Sequence, residues 1–192
     1  MSIIEWLATG FGVACVILTI RESIWCWPTG LVQVLLFVFV FLEARLYSDV
    51  VLHVIYVILQ IYGWHAWLRG GDAGESLQVS RLAPHALLTW LVVGVVGTVT
   101  VGTLMRRFTD ADYAYWDASI LALSLIAQWL LARKVLESWI FWISVDVLAV
   151  GLYTLKGLYP TAGLYSVFLV LAVTGLVQWK RSLERQPLLQ RA

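Results

Sequence analysis

The stretch Leu46–Arg69, LYSDVVLHVIYVILQIYGWHAWLR, is written a second time as Leu158–Arg181, LYPTAGLYSVFLVLAVTGLVQWKR. At a constant offset of 112, Leu46 falls on Leu158, Tyr47 on Tyr159, Leu59 on Leu171, Gly63 on Gly175, Trp67 on Trp179 and Arg69 on Arg181. Upstream, Glu22, Ser23 and Trp27 pair with Glu137, Ser138 and Trp142 if a short loop indel shifts the register. Each copy is an apolar run of about 20 residues, the length a helix needs to cross a bilayer. Paired apolar repeats are how many transporters are built, with substrate held between the halves near the bilayer midplane.

Composition points the same way. Of the 192 residues 61% are hydrophobic and only 13% charged, with a mean hydropathy of +0.84. A soluble domain is nearer half apolar and a quarter charged. A net charge of +1 excludes the concentrated basic face that a nucleic-acid partner requires. Cys15 and Cys26 lie inside apolar runs at no metal or redox spacing and read as small core residues. The first apolar run lacks a basic leader and reads as a retained helix.

Seven segments are long and apolar enough to span: Ile3–Ile20, Ile24–Leu42, Ser48–Leu68, Leu87–Met105, Tyr115–Ala132, Trp139–Leu155 and Thr161–Trp179. The polar stretch Arg69–His85, with Gly70, Gly71 and Gly74, is the one plausible linker. Loops after the odd-numbered helices carry nine cations (Arg21, Arg69, Arg81, Arg133, Lys134, Lys180, Arg181, Arg185, Arg191). The opposite side carries four: Arg45, Arg106, Arg107 and Lys156. The positive-inside rule then puts the C-terminus in the cytoplasm and the N-terminus outside. Helices two and three match six and seven with helix four between, so the repeats run parallel. The organisation expected is residues 1–69 as a first three-helix repeat, 70–108 as linker loop and fourth helix, 109–181 as a second repeat, and 182–192 as a cytoplasmic tail.

Ionisable groups inside a span face a cavity or a partner. In helix three Asp49, His53, Tyr56, Gln60, Trp64 and Trp67 share one face; in helix five Asp117, Ser124 and Gln128 do; in helix six Trp139, Trp142, Asp146, Ala149 and Tyr153; in helix two Trp25, Thr29 and Gln33. Together these stripes describe a bundle around a wet, Trp-lined pocket. Some have plainer readings. Trp6, Trp67, Trp90 and Trp179, near span ends, read as interfacial anchors. Asp49 and Asp117 lie near helix N-termini, where a carboxylate complements the dipole. Gln60 and Gln178 bond across helices. His53 has no second ligand at metal spacing. Trp139 and Trp142 also stand where anchors would, but they share a face with Asp146, which is mid-helix with no capping role. Indole faces beside a carboxylate suit a flat cationic ring, and amides such as Gln33 and Gln128 suit its hydroxyl or carboxamide groups.

The stretches Ile24-Trp25-Cys26-Trp27-Pro28, Phe41-Leu42-Glu43-Ala44-Arg45-Leu46-Tyr47, Ile61-Tyr62-Gly63-Trp64-His65-Ala66-Trp67, Ala132-Arg133-Lys134, Glu137-Ser138-Trp139-Ile140-Phe141-Trp142 and Lys156-Gly157-Leu158-Tyr159 resemble the PnuC family of bacterial vitamin transporters, over essentially the whole chain. The resemblance implies a SWEET-like fold of two three-helix bundles joined by one helix. It implies carriage of nicotinamide riboside, or of thiamine as in relatives, by facilitated diffusion. A cytoplasmic kinase traps the product and feeds NAD biosynthesis. It also implies a homotrimer in the bacterial inner membrane, with no cofactor or metal. The family's Trp-x-x-Trp element corresponds to Trp139 and Trp142; Gln33, Gln128, Trp25, Tyr153, Asp117 and Asp146 complete the expected site. Some members carry Asn where this chain has Asp146 and Gln33, which bears on the vitamin carried. Two other classes stay open at this point. An intramembrane enzyme would need motifs such as HExxH or GxSxG, which are absent. A passive scaffold would have no use for several polar faces inside the bilayer.

Overall fold

The computed structural model describes residues 3–43, 47–70, 77–109 and 112–189, without the side chains of residues 47–49 and 186–189. Arg45, Arg191, the side chain of Asp49 and the glycines Gly71 and Gly74 therefore lie outside the described residues. Among the described residues the chain forms seven helices: α1 (Ile3–Ile20), α2 (Cys26–Glu43), α3 (Tyr47–Arg69), α4 (Pro84–Phe108), α5 (Ala114–Ala132), α6 (Ser138–Leu155) and α7 (Tyr159–Leu189). All seven are long and apolar enough to cross a membrane. The protein is an all-helical, multi-pass membrane protein. Among the described residues extended pairing is confined to one isolated bridge, Ser80 with Val135.

The helix ends follow local chemistry. Helix α4 opens on Pro84, whose missing N–H costs nothing in the first turn. At 31 residues α7 is about 46 Å long, well beyond the hydrocarbon core. Its apolar part closes at Arg185. Helices α1 and α5 end in the same turn. Glu22, at φ 55°, is left-handed, and the Ser23 and Glu22 amides donate to Leu18 and Thr19 carbonyls at 2.9 Å. Lys134, at φ 54°, repeats this, and the Val135 amide donates to the Leu130 carbonyl at 3.0 Å. This is the Schellman closure, built here on a charged residue where glycine is usual.

The chain divides into two compact units. The first holds α1–α3, up to Gln78, and also takes Ala132–Lys134 from the α5–α6 turn. The second runs from Val79 to Leu131 and from Val135 onward, holding α4, most of α5, α6 and α7. Each has the same seam. In the first, Trp27 of α2 lies against Gly63 of α3 and packs edge-on to Trp67, with ring centroids 5.4 Å apart at 81°. In the second, Trp139 of α6 lies against Gly175 of α7 and packs edge-on to Trp179 at 5.5 Å and 90°.

This seam corrects two expectations. Trp67 and Trp179 are core residues, 4% and 0% exposed, not interfacial anchors. A glycine one turn earlier on the same helix opens a slot for the facing indole, Trp27 or Trp139, and Trp67 or Trp179 packs edge-on against that ring. Trp6, 64% exposed, keeps the surface position expected of an anchor. Second, the residue that stands in the second seam where Trp27 stands in the first is Trp139, at the unshifted offset of 112, not Trp142. The left-handed residues Glu22 and Lys134 stand at that same offset.

Candidate functional site

Six of the eight sequence-expected site residues belong to the second unit. Asp146 sits mid-α6 and is 4% exposed. It makes no hydrogen bond or ion pair with any described residue. Gln128 on α5 is likewise buried, at 6%. Trp139 is sunk against Gly175 and Trp179, and its indole N–H is buried with no acceptor among the described residues. Trp142 is half-buried and packs on the cluster of Ile126, Ala127, Leu130, Val135 and Phe141. Tyr153, toward the other end of α6, stacks on Tyr165 of α7 at 5.3 Å and 24°. Asp117 is engaged elsewhere: its carboxylate accepts from Lys156 Nζ at 3.0 Å, both side chains about one-third exposed. It lies in the first turn of α5, as expected of a carboxylate that complements the helix dipole.

The remaining two, Gln33 and Trp25, belong to the first unit. Gln33 on α2 is half-buried and lays its carboxamide against Gly12 of α1. Trp25 precedes α2, which starts at Cys26 rather than Ile24, and is 67% exposed. It is a surface ring on the α1–α2 turn. Deeper in this unit Gln60 lies against Gly30 and beside Cys15, whose thiol donates to the Cys26 carbonyl at 3.2 Å. His53 sits among aromatic rings, 4.8 Å from Phe41 and 5.9 Å from Tyr56.

The α6 N-terminus, which positions Trp139, is held by a residue not anticipated from the sequence. Glu137 is 7% exposed; its Oε2 accepts the Leu82 amide at 2.9 Å and its Oε1 lies 3.5 Å from Arg81. The Leu136 amide donates to Ser80 at 2.9 Å. The segment 79–82, expected only to link, thus straps the turn ahead of α6. Farther along, Trp116 of α5 donates its indole N–H to the Leu148 carbonyl at 2.9 Å, fixing α5 on α6. Among its described residues the second unit therefore holds a buried carboxylate without a counter-charge, a buried amide, a half-buried indole and an unpaired indole N–H. Such a set can hold a flat, positively charged ring with a polar substituent.

The comparisons with known proteins agree in class. Residues 2–181 match the Nicotinamide mononucleotide transporter family, and the chain belongs to it. It is 29% identical to the nicotinamide riboside transporter PnuC of Escherichia coli (strain K12), over 95% of this chain and 87% of the relative. It is 28% identical to the riboflavin/roseoflavin transporter RibM of Streptomyces davaonensis, over 88% of this chain and 80% of the relative. The fold superposes on the crystal structure of the vitamin B3 transporter PnuC with a TM-score of 0.76 at 24% identity, covering 95% of this chain and 82% of that one. The protein is a membrane transporter, as its family is, rather than an enzyme.

Proposed function

We propose that this chain carries nicotinamide riboside across the bacterial inner membrane by facilitated diffusion, with a cytoplasmic kinase trapping what enters. The observation that carries the reading is Asp146, a buried intramembrane carboxylate with no cation beside it among the described residues. An isolated charge there is costly, and a ligand that brings the counter-charge removes the cost. The pyridinium of the riboside brings one. Trp142 offers its face to the ring, and the N–H of Trp139 meets a carboxamide oxygen. Gln128 takes a hydroxyl, and Tyr153 lies farther along α6. The mononucleotide in the family's name is disfavoured at this site, since a phosphate would be repelled by Asp146. A neutral isoalloxazine, of the kind carried by the riboflavin relative, has no use for that carboxylate.

The layout we read is two parallel three-helix repeats joined by the fourth helix, with the N-terminus outside, the C-terminus in the cytoplasm, and three copies assembling. Thiamine is the second reading, since its thiazolium is also cationic and would meet the same carboxylate. Purified chain in liposomes, given labelled nicotinamide riboside, thiamine or riboflavin without ion gradient or nucleotide, decides among them. The expected result is equilibration of the riboside in both directions and no accumulation. Accumulation against a gradient in this system would rule out facilitated diffusion. Preferential movement of thiamine would replace the substrate.

A further inference from the structure

Two residues other than glycine adopt left-handed backbone among the described residues, Glu22 and Lys134. They stand 112 positions apart, each closing a helix, and they are partners in one ion pair. Lys134 Nζ lies 2.9 Å from Glu22 Oε2, with side-chain exposures of 8% and 22%. The same ammonium donates to the Leu77 carbonyl at 2.9 Å and stands 4.7 Å from the centre of the Trp67 ring. Carboxylate, carbonyl and indole thus surround one cation. Together they hold Ala132–Lys134 in the first unit, while Val135, the next residue, is already part of the second.

A permanent tie would not need these groups. Replacing a buried ion pair by well-packed apolar residues is often neutral or stabilising, so such a pair is a poor device for fixing a structure. It is a good device for a contact that must part, because both charges recover hydration when they separate. Both also sit on turns at helix ends. We propose that Glu22 and Lys134 form a latch, released and remade in each transport cycle as Ala132–Lys134 leaves and returns to its seat on Glu22, Leu77 and Trp67. The proposal rests on the transport reading above.

The test uses the full chain in liposomes with Cys15→Ala and Cys26→Ser. In Glu22→Cys/Lys134→Cys, a reducible bifunctional methanethiosulfonate bridges the two positions. Exchange of labelled nicotinamide riboside should fall at least tenfold on bridging and recover on reduction. A second readout needs no substrate. Ser138, fully buried four residues beyond Lys134, is replaced by cysteine. Its reaction with a small methanethiosulfonate should quicken at least fivefold in Lys134→Met and slow again in the charge swap Glu22→Lys/Lys134→Glu. Exchange that persists with the bridge closed, or a Ser138→Cys rate that is the same with the pair intact, cut and swapped, overturns the latch. If the unmodified chain moves no riboside, the vitamin reading falls, and the thiol rates alone decide the latch.

Discussion

Asp146 and Asp117 show how two intramembrane acids of similar appearance separate by environment. Asp117 has its cation 3.0 Å away on Lys156, whereas Asp146 is buried with none among the described residues. Replacing Asp146 by Asn keeps the shape and removes the charge. If the carboxylate serves a cationic ring, Asp146→Asn should weaken binding of nicotinamide riboside about tenfold or more, and binding of a neutral analogue of the same shape little. Trp142→Ala should cost a similar factor, since a desolvated cation–π contact contributes about 2 kcal/mol. Calorimetric titration of monodisperse variants reads both. Affinity unchanged in both variants would remove the site from α6, and a loss confined to expression or melting temperature would make Asp146 a helix-bridging residue. Lys156→Gln, which unpairs Asp117 at a partly exposed position, should leave riboside affinity within about threefold, the scale of an exposed ion pair.

At the scale of helices, the spans were legible because hydropathy and length decide them: α1, α5 and α6 end where the apolar runs end, and most other boundaries moved by a few residues, while α7 runs ten residues past the expected Trp179 to Leu189. The indoles were not legible in the same way. Nearness to a span end predicts an anchor for Trp67 and Trp179, yet the ring of Trp27 or Trp139, seated on the glycine at 63 or 175, gives each an inward packing partner, and that depends on which helix faces the slot. The signal was present, since Trp27–Gly63–Trp67 recurs as Trp139–Gly175–Trp179 at one offset. A competing match of Trp27 to Trp142 obscured it. Likewise Glu137 and Lys134 read as loop charges until the chain brings Leu82, Leu77 and Glu22 to them. The slots give a sharp expectation. A Cβ at Gly63 or Gly175 would overlap the Trp27 or Trp139 ring, whereas one at Gly163 on α7 meets nothing within 4 Å. Gly63→Ala and Gly175→Ala should each destabilise by roughly 1–3 kcal/mol, the usual cost of overpacking. Gly163→Ala should be neutral or slightly stabilising. Melting in detergent followed by Trp fluorescence makes the comparison, and equal melting temperatures for all three would dispose of the glycine-slot account.

For the whole molecule the open quantity is orientation. Seven crossings put the end of α7 and the α6–α7 turn on opposite faces of the bilayer. Cations are unequally divided between those faces, and Lys180, Arg181 and Arg185 gather at the far end of α7. Moving that cluster through the membrane during insertion is the unfavourable alternative, because cytoplasmic loops retain Lys and Arg. The proposed function gives the orientation a consequence: with the C-terminus in the cytoplasm, riboside entering from outside would meet the face bearing the α6–α7 turn first, and a trapping kinase would act on the face bearing the end of α7. Single cysteines at Arg185 and at Tyr159, both exposed and on opposite faces, report this directly. In intact cells an impermeant maleimide should label Tyr159→Cys and spare Arg185→Cys until the membrane is opened. The reverse pattern would invert the molecule, and with it the side from which the vitamin is captured.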